Sequence, residues 1–457
     1  MNRRCIKGGT FSSLIINQMS ENTVVNSLRG SKEYGNDPES RIWKPIKIGD
    51  KTLKHRIAMA PLTRFRAIGG VPNDLHVEYY SQRATDGGLI ITEGTIIAYE
   101  AGGAVNAPGI YSEEQIAAWR KVTDAVHAKG GIIYCQLWQL GRANPGQDPN
   151  VKVVSASTTP FEGGEVPEEM TTEDVQRYVQ HFKHAAENAM KAGFDGVEVH
   201  AAHGYLLDQF IQAASNNTRT DQYGGSLENR ARFVFEALDV VTQAVGQKRT
   251  SVRFSPFSQF QGQGKEADPF ETYSYILREV VARFPKLSYV SITDPRDDAL
   301  GGAAEYTSDP FRAIIRGITT PVSKYAKDAT TVFPEPDENH PTVVLVAGGY
   351  KPSDATESGS RTGDIMAYGR TFIANPDLVK RIREGLELNA YDRNTFYTQD
   401  KVGYTTYPFA DENTKVFRLP TPEVENAIVV KETAVVEKVV EEKLKTIKIT
   451  IRVKSSQ

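Results

Sequence analysis

The sequence predicts a single (β/α)8 barrel of the α/β class, the TIM-barrel architecture. From about residue 54 onward, short β-branched runs alternate with longer segments of helical apolar spacing. There are eight such runs, and the segments between them are long enough to form the helical crossovers that parallel strands require. The chain has 457 residues, 39% of them hydrophobic, so it can bury one large core.

The eight predicted strands are short runs in which aliphatic and β-branched residues dominate. They cover residues 56–60, 88–93, 131–137, 196–200, 251–255, 287–293, 342–347 and 365–369. The clearest predicted helices cover residues 113–128, 172–192, 227–245 and 269–284. Glycine-containing turns such as Asp86-Gly87-Gly88 stand where a helix must end and a strand begin.

An open doubly wound sheet is the alternative fold. Its dinucleotide-binding form needs a glycine-rich turn after the first strand, where a pyrophosphate approaches a helix N-terminus. In this chain the first turn, residues 60–64, reads Ala-Pro-Leu-Thr-Arg and contains no glycine. The closed barrel is therefore the better prediction.

The chain divides into an N-terminal extension (1–41), a barrel (42–420) and a C-terminal extension (421–457). Residues 1–18 are basic and lack Asp and Glu, which is typical of an organellar transit peptide, with a disordered basic tail as the alternative. We interpret the C-terminal extension as a docking or association segment, compatible with a homodimer; a solvated tail is the alternative. The proline-rich stretch 317–341 is a predicted loop insertion between the sixth and seventh strands.

Composition limits the partners. A net charge of −3 supplies no basic field for nucleic acid, and no run reaches the roughly 20 apolar residues of a membrane span. The two cysteines, Cys5 and Cys135, cannot ligate an iron–sulfur cluster or a structural zinc ion. They also favour a reducing compartment, so we expect a cytoplasmic protein, or a mitochondrial one if residues 1–18 act as a transit peptide.

Functional groups of a (β/α)8 barrel lie at the carboxyl ends of its strands. The fourth predicted strand runs directly into residues 200–205, which read His-Ala-Ala-His-Gly-Tyr. Two neutral imidazoles, His200 and His203, can donate hydrogen bonds to a carbonyl oxygen and stabilise a developing enolate, and the phenol of Tyr205 can deliver a proton. By itself the His-x-x-His pattern also suits a metal site or two satisfied polar residues.

Residues 217–230 follow this strand end and read Asn-Thr-Arg-Thr-Asp-Gln-Tyr-Gly-Gly-Ser-Leu-Glu-Asn-Arg. This run resembles the signature of the Old Yellow Enzyme family of ene-reductases. The resemblance covers about residues 42–419 and includes the turn 60–64 and the runs 136–138 (Gln-Leu-Trp), 253–256 (Arg-Phe-Ser-Pro) and 368–370 (Tyr-Gly-Arg). It implies non-covalent FMN, NADPH as reductant, and ping-pong reduction of the C=C bond of α,β-unsaturated aldehydes and ketones.

The resemblance also implies cofactor-binding residues. Thr63 matches a hydroxyl that tunes the flavin, while Gln136 and Arg253 match the groups that bind its pyrimidine ring. A fixed guanidinium there would stabilise the anionic reduced flavin. Four further predicted cofactor-binding residues follow the seventh and eighth strands, where barrels commonly bind a phosphate. These phosphate-binding candidates are Gly348, Gly349, Gly369 and Arg370.

For the substrate, the resemblance implies that His200 and His203 hold the carbonyl oxygen of an enone or a phenolate. Hydride then passes from flavin N5 to the β-carbon, and Tyr205 protonates the α-carbon. Three aromatic residues are predicted to line the pocket: Trp138, Tyr80 and Tyr397.

Other functions stay open. Iron–sulfur relatives of the family are disfavoured by the cysteine count. A flavoprotein that binds phenolic or steroid ligands, or an isomerase without net reduction, would use the same pocket, although a pure binder has no need of Tyr205 as a proton donor. A metal-dependent barrel hydrolase would use His200 and His203 as ligands. The chain departs from the family pattern in the 317–341 insertion and in the polar segment 356–363, where a seventh helix is expected.

Overall fold

A small antiparallel hairpin precedes the barrel in the computed structural model, which describes residues 39–263, 268–295, 305–411 and 414. The hairpin consists of β1 (Ile46–Ile48) and β2 (Lys51–Leu53). Its apolar side chains, Ile46, Ile48 and Leu53, join the cluster of buried residues inside the barrel. The hairpin therefore closes the N-terminal end of the barrel with hydrophobic side chains.

Eight parallel strands form the barrel, each from one of the eight predicted runs. They are β3 (Ile57–Met59), β4 (Leu89–Ile91), β6 (Ile132–Trp138), β9 (Gly196–His200), β10 (Thr250–Phe254), β11 (Tyr289–Thr293), β12 (Val343–Ala347) and β13 (Ile365–Tyr368). Three two-residue strands lie outside this set: β5 (Thr95–Ile96), β7 (Val154–Ser155) and β8 (Glu168–Glu169). Neighbouring strands pair in parallel, and β13–β3 and β4–β6 pairings close the ring. The predicted (β/α)8 barrel is confirmed.

Helices surround the strands. They are α1 (Asp74–Arg83), α2 (Glu113–His127), α3 (Thr172–Lys191), α4 (Leu206–Ile211), α5 (Leu227–Val245), α6 (Pro269–Arg283), α7 (Asp309–Ile315), α8 (Pro352–Thr362), α9 (Arg370–Ala374) and α10 (Leu378–Glu384). The four helices predicted most clearly agree with α2, α3, α5 and α6 to within a residue. Three of them begin after a hydroxyl residue, Ser112, Thr171 or Ser226, whose side chain caps the first turn.

Residues 356–362 of the polar segment 356–363 are part of a regular helix, so the predicted departure from the family pattern is wrong at this point. Helix α8 begins at Pro352, where the fixed backbone angle of proline suits the first turn. Its packing uses small groups, because Gly359 lies against Ile42 and Thr362 is buried. A helix that packs through Gly and Thr carries no apolar stripe for a sequence pattern to detect.

The insertion 317–341 is irregular, as predicted, apart from one 3-10 turn at Ala326–Asp328. It is nevertheless fastened to the barrel, since Glu335 forms ion pairs with Arg41 and with the buried Arg56. Residues 1–38 and 421–457 lie outside the described residues, so the boundaries of both extensions stay predictions. Within the described part of the chain, no helix combines the length and apolar character needed to cross a bilayer.

Side chains alternate between the inside of the barrel and the layer beneath the helices. Along β12, Val343 and Leu345 belong to the inner cluster, whereas Val344 and Val346 belong to the outer one. The inner positions of β12, β13, β3 and β4 are aliphatic, and we call these strands the apolar half. On β6, β9, β10 and β11, the polar half, the inner positions towards the carboxyl ends are buried polar residues. They are Gln136, Glu198, His200, Ser251, Arg253, Ser291 and Thr293.

Candidate active site

The turn after β9 brings together the three residues predicted to act on substrate. His203 has φ +57° and Gly204 has φ +76°, so the chain reverses through two left-handed residues. A Cβ on Gly204 would lie 2.9 Å from Cβ of Gln261, so glycine lets the loop after β10 approach closely. The backbone N–H of His203 donates to Ser255 Oγ at 2.7 Å, which fixes the turn to that loop.

The aromatic rings of this turn form one cluster. The ring centroid of His200 lies 5.9 Å from that of His203 and 5.1 Å from that of Tyr205. Tyr205 also contacts Trp138 edge to face, with centroids 5.0 Å apart. Thr293, at the end of β11, places its hydroxyl 3.2 Å from His203 Nε2. The structure therefore brings together two imidazoles, a phenol and an indole at the ends of two neighbouring strands, β9 and β6.

Burial sets the protonation states in this cluster. Burial, assisted by the charge of Arg253, holds the pKa of His200 well below its usual value, so its imidazole is neutral at pH 7. Burial raises the pKa of Tyr205 to about 12, so its phenol keeps its proton. Among the described residues, the buried Nδ1 of His200 has no hydrogen-bond partner. These are the states that a carbonyl-binding imidazole and a proton-donating phenol require.

The predicted pyrimidine-binding residues lie on either side of β9. Gln136 on β6 is the ladder partner of Glu198, and its Nε2 donates to Glu198 Oε1 at 2.7 Å. Arg253 on β10 lies directly opposite His200 in the ladder. An amide and a guanidinium thus lie next to the imidazole cluster. Thr63, just after β3, is half-buried on the other side of the barrel mouth.

The phosphate-binding candidates lie at the ends of two adjacent strands, β12 and β13. Gly349 has φ +81°, a left-handed conformation that orients the turn after β12. In the described part of the chain, the backbone N–H groups of Gly348 and Gly369 donate no hydrogen bond to protein. Arg370 is half-buried, and its Nη1 lies 3.4 Å from the Tyr391 hydroxyl. Two open N–H donors and a guanidinium suit a phosphate, so the residues present fit FMN.

A buried ionic network supports the phosphate turn. Asp294, at the end of β11, donates from its backbone N–H to Ala347 O and accepts from Arg312 Nη2 at 2.7 Å. The hydroxyl of Tyr350, next to Gly349, also donates to Asp294 Oδ2. The backbone and side chain of Asp294 therefore hold both flanks of the Gly348–Gly349 turn.

The aromatic candidates differ in position. Trp138 is buried beside Tyr205, whereas Tyr397 is 66% exposed at the rim, with its ring 5.6 Å from that of Phe65. Tyr80 lies on helix α1 and has no exposed surface. Its hydroxyl contacts both the backbone N–H and the carboxyl group of Glu93. The structure thus gives Tyr80 no open cavity to line, and its predicted pocket role has no geometric support.

Sequence reasoning missed two residues of the site, Glu198 and Thr293. Both point inward because they alternate with buried aliphatic residues of the outer layer. The sequences of β9 and β11 already show this alternation. A polar residue at an inward-facing position was therefore the signal that could have identified Glu198 and Thr293.

A cavity of about 800 Å³ opens at the other end of the barrel, between the β1–β2 hairpin and the end of the 317–341 insertion. Exposed lysines such as Lys44 and Lys286 line it, together with prolines. None of the predicted site residues borders this cavity. Because barrel enzymes build their sites at the carboxyl ends of strands, we assign the chemistry to the carboxyl ends of the strands of the polar half. Among the described residues, no group of three or more His, Cys, Asp and Glu side chains could hold a metal ion.

This fold and site define a barrel oxidoreductase that binds a flavin. Comparison with known proteins identifies the family: the model of the NADH:flavin oxidoreductase / NADH oxidase family, an FMN family, matches residues 41–389. The chain is 41% identical over 379 residues to 12-oxophytodienoate reductase 1 of Oryza sativa subsp. japonica, covering 80% of this chain and 93% of that protein. It is 40% identical over 399 residues to enoate reductase 1 of Kluyveromyces lactis, covering 82% of this chain and 95% of that protein.

A solved structure of morphinone reductase in complex with tetrahydroNAD superposes with a TM-score of 0.70 at 35% identity, covering 83% of this chain and 99% of that chain. The chain therefore belongs to the Old Yellow Enzyme family of FMN-dependent ene-reductases. The predicted family, the cofactor FMN with a nicotinamide reductant, and the oxidoreductase class are confirmed.

Proposed function

We propose that this enzyme reduces the C=C bond of α,β-unsaturated aldehydes and ketones with NADPH, in a ping-pong reaction at the mouth of the polar half. The observation that carries the proposal is the cluster of His200, His203 and Tyr205 beside Gln136 and Arg253. Two relatives at 40–41% identity, an enoate reductase and a 12-oxophytodienoate reductase, support this choice of reaction. The turn at residues 60–64 has no glycine-rich dinucleotide motif. In the proposed reaction, NADPH and the enone therefore use one site in turn.

The imidazoles bind and polarise the substrate carbonyl. A neutral imidazole carries one N–H, so His200 and His203 can each donate one hydrogen bond to the carbonyl oxygen. These donors are already in place before negative charge develops on that oxygen, and they stabilise the charge without reorganisation. The same pair of donors would bind a phenolate, which makes phenols expected inhibitors.

FMN held at this site would supply the hydride chemistry, taking hydride from the nicotinamide and giving it to the β-carbon of the enone. Tyr205 supplies the matching proton to the α-carbon. Its pKa of about 12 keeps the proton available at any physiological pH. We expect net trans addition.

For the cofactor, we propose that Gln136 and Arg253 hold the pyrimidine ring and that Thr63 contacts the opposite edge of the flavin. The phosphate would lie between the turns after β12 and β13. Backbone N–H groups of Gly348, Gly349 and Gly369 would bind it together with Arg370. Support comes from the adjacency of β12 and β13 and from the open N–H groups.

An anaerobic visible spectrum of the purified protein tests the proposal. We expect flavin absorbance that bleaches on addition of NADPH and returns on addition of 2-cyclohexenone, because both half-reactions use one flavin. Bleaching that the enone cannot reverse would favour a flavoprotein that binds phenolic or steroid ligands. Bleaching by NADH alone would contradict the choice of NADPH.

Two further proposals rest on the sequence. We infer a homodimer, because residues 421–457 carry the apolar spacing of an association segment. Size-exclusion chromatography with light scattering of the full chain and of a chain ending at residue 420 would test this. We also infer a cytoplasmic location, with mitochondria as the alternative, which fluorescence microscopy of the tagged full chain would decide.

A further inference from the structure

Glu198 is the one carboxylate among the inward-facing residues of the polar half. It lies in the middle of β9, two residues before His200, and has no exposed surface. Its ladder partners are Gln136 on one side and Ser251 on the other. It therefore lies level with Gln136 in the ladder and two residues below the level of Arg253, the two residues proposed to bind the pyrimidine ring of the flavin.

The contact with Gln136 has a direction. A carboxylate can only accept hydrogen bonds, so the bond of 2.7 Å between Gln136 Nε2 and Glu198 Oε1 commits the amide nitrogen to Glu198. The amide oxygen of Gln136 is then the acceptor available to a ligand. The imide N–H of a flavin pyrimidine ring is a donor, so this orientation of the amide matches it.

Charge at this position would act on a bound flavin as well. Burial raises the pKa of Glu198, whereas the charge of Arg253 and the hydrogen bond from Gln136 oppose that increase. A buried carboxylate near Arg253 offsets part of the positive charge that Arg253 presents to the ring. The mouth then holds a moderated positive field instead of an isolated guanidinium.

We propose that Glu198 is a positioning residue that fixes the orientation of the Gln136 amide and holds negative charge beneath the flavin, which lowers the flavin reduction potential. This rests on the proposal that Gln136 and Arg253 hold the pyrimidine ring. Glu198 would act on the flavin through Gln136 and Arg253 and not by direct contact. Its effect should therefore appear in an equilibrium property of the bound flavin.

The test is the reduction potential of the FMN holoenzyme, measured by anaerobic dye-linked titration. In Glu198→Gln, loss of the negative charge favours the anionic reduced flavin, and we expect the equilibrium constant for reduction to rise roughly tenfold, which is about +30 mV for two electrons. Glu198→Met removes the same charge at similar volume and should move the potential in the same direction. Ser251→Ala, the ladder neighbour of Glu198, is the matched control, and its potential should equal that of the wild type.

An unchanged potential in both Glu198 variants, or an equal shift in Ser251→Ala, overturns the inference. Gln136→Leu separates this failure from failure of the proposed cofactor site. If Gln136→Leu weakens FMN binding, measured from the fluorescence of released flavin, while the Glu198 variants keep the wild-type potential, only the role of Glu198 is wrong. If Gln136→Leu binds FMN as tightly as the wild type, the proposed pyrimidine site is wrong and the inference falls with it.

Discussion

The two halves of the barrel interior are both buried, yet they are built from opposite chemistry. Strands β12, β13, β3 and β4 fill their side with Val, Leu, Ile and Ala, whereas β6, β9, β10 and β11 carry polar groups towards their carboxyl ends. Burying a polar group costs free energy unless it finds a partner, whereas burying an aliphatic group stabilises the fold. The apolar half therefore maintains the barrel, and the polar half gives up stability for a binding surface.

The proton donor should give the largest effect in the polar half. Tyr205→Phe removes the hydroxyl but keeps the ring that packs on Trp138, so the fold is retained. We expect enone reduction to slow roughly 10²–10⁴-fold, the usual contribution of a general acid. Stopped-flow absorbance would follow both half-reactions, with flavin reduction by NADPH as the internal control. An equal loss in the two half-reactions would falsify the assigned role.

Shortening a side chain in the apolar half should lower stability and leave the reaction unchanged. Leu345 on β12 is buried inside the barrel, and Leu345→Ala leaves a cavity that its rigid neighbours cannot fill. We expect the free energy of unfolding to fall by about 2–5 kcal/mol, while the folded fraction retains its flavin chemistry. Urea denaturation would measure the loss. Leu345→Met, of similar volume, should cost less than about 1.5 kcal/mol. A normal stability combined with a large loss of turnover would break the division between the two halves.

Glu93 is a charged exception at the end of β4 in the apolar half. Burial raises the pKa of its carboxyl to about 7, despite hydrogen bonds from the Arg64 backbone and the Tyr80 hydroxyl. Below that pKa the folded protein keeps a proton that the unfolded chain releases above about pH 4.5, so this group lowers stability as pH rises through that window. Glu93→Gln removes the titration. Its stability relative to the wild type should therefore increase, by roughly 1–3 kcal/mol, between about pH 5 and pH 8.

Thermal or urea unfolding of both proteins at several pH values would show the trend for Glu93. A difference between variant and wild type that stays constant with pH would mean that Glu93 does not titrate in this range.

The smallest effect is expected at Thr293. Thr293→Val keeps the shape of the side chain but removes the hydroxyl that lies 3.2 Å from His203 Nε2. A single hydrogen bond contributes about 0.5–1.5 kcal/mol, so phenol binding should weaken by roughly two- to tenfold. Perturbation of the flavin spectrum on phenol titration measures the affinity. Ser291→Ala, at the next inward position of β11, should bind phenols as the wild type does, and equal weakening in both variants would argue against a specific role.

The sequence predicted the strands well because each buried strand is a short aliphatic run with a clear boundary. Strand β9 agrees with its predicted range, and most other boundaries differ by one or two residues. Helix α8 was harder because Gly359 and Thr362, not an apolar stripe, make its contacts.

At the site, the motif after β9 predicted His200, His203 and Tyr205, which do lie together. Tyr80 was misleading because a tyrosine in an amphipathic helix can face the mouth or the core, and spacing alone does not distinguish them. Glu198 and Thr293 were missed because their importance depends on partners from other strands. Gln136 and His203 are 62 and 90 positions away from them.

Closure of the ring has a consequence for how this protein folds during its synthesis. Strand β3 completes its pairing only with β13, and Arg41, near the start of the barrel, is held by Glu335, 294 positions further along. During synthesis one edge of β3 therefore stays unpaired until β13, the last barrel strand, has left the ribosome. Contacts of such long sequence separation slow folding and leave strand edges exposed. We expect the nascent chain to engage chaperones until the last two strands are available.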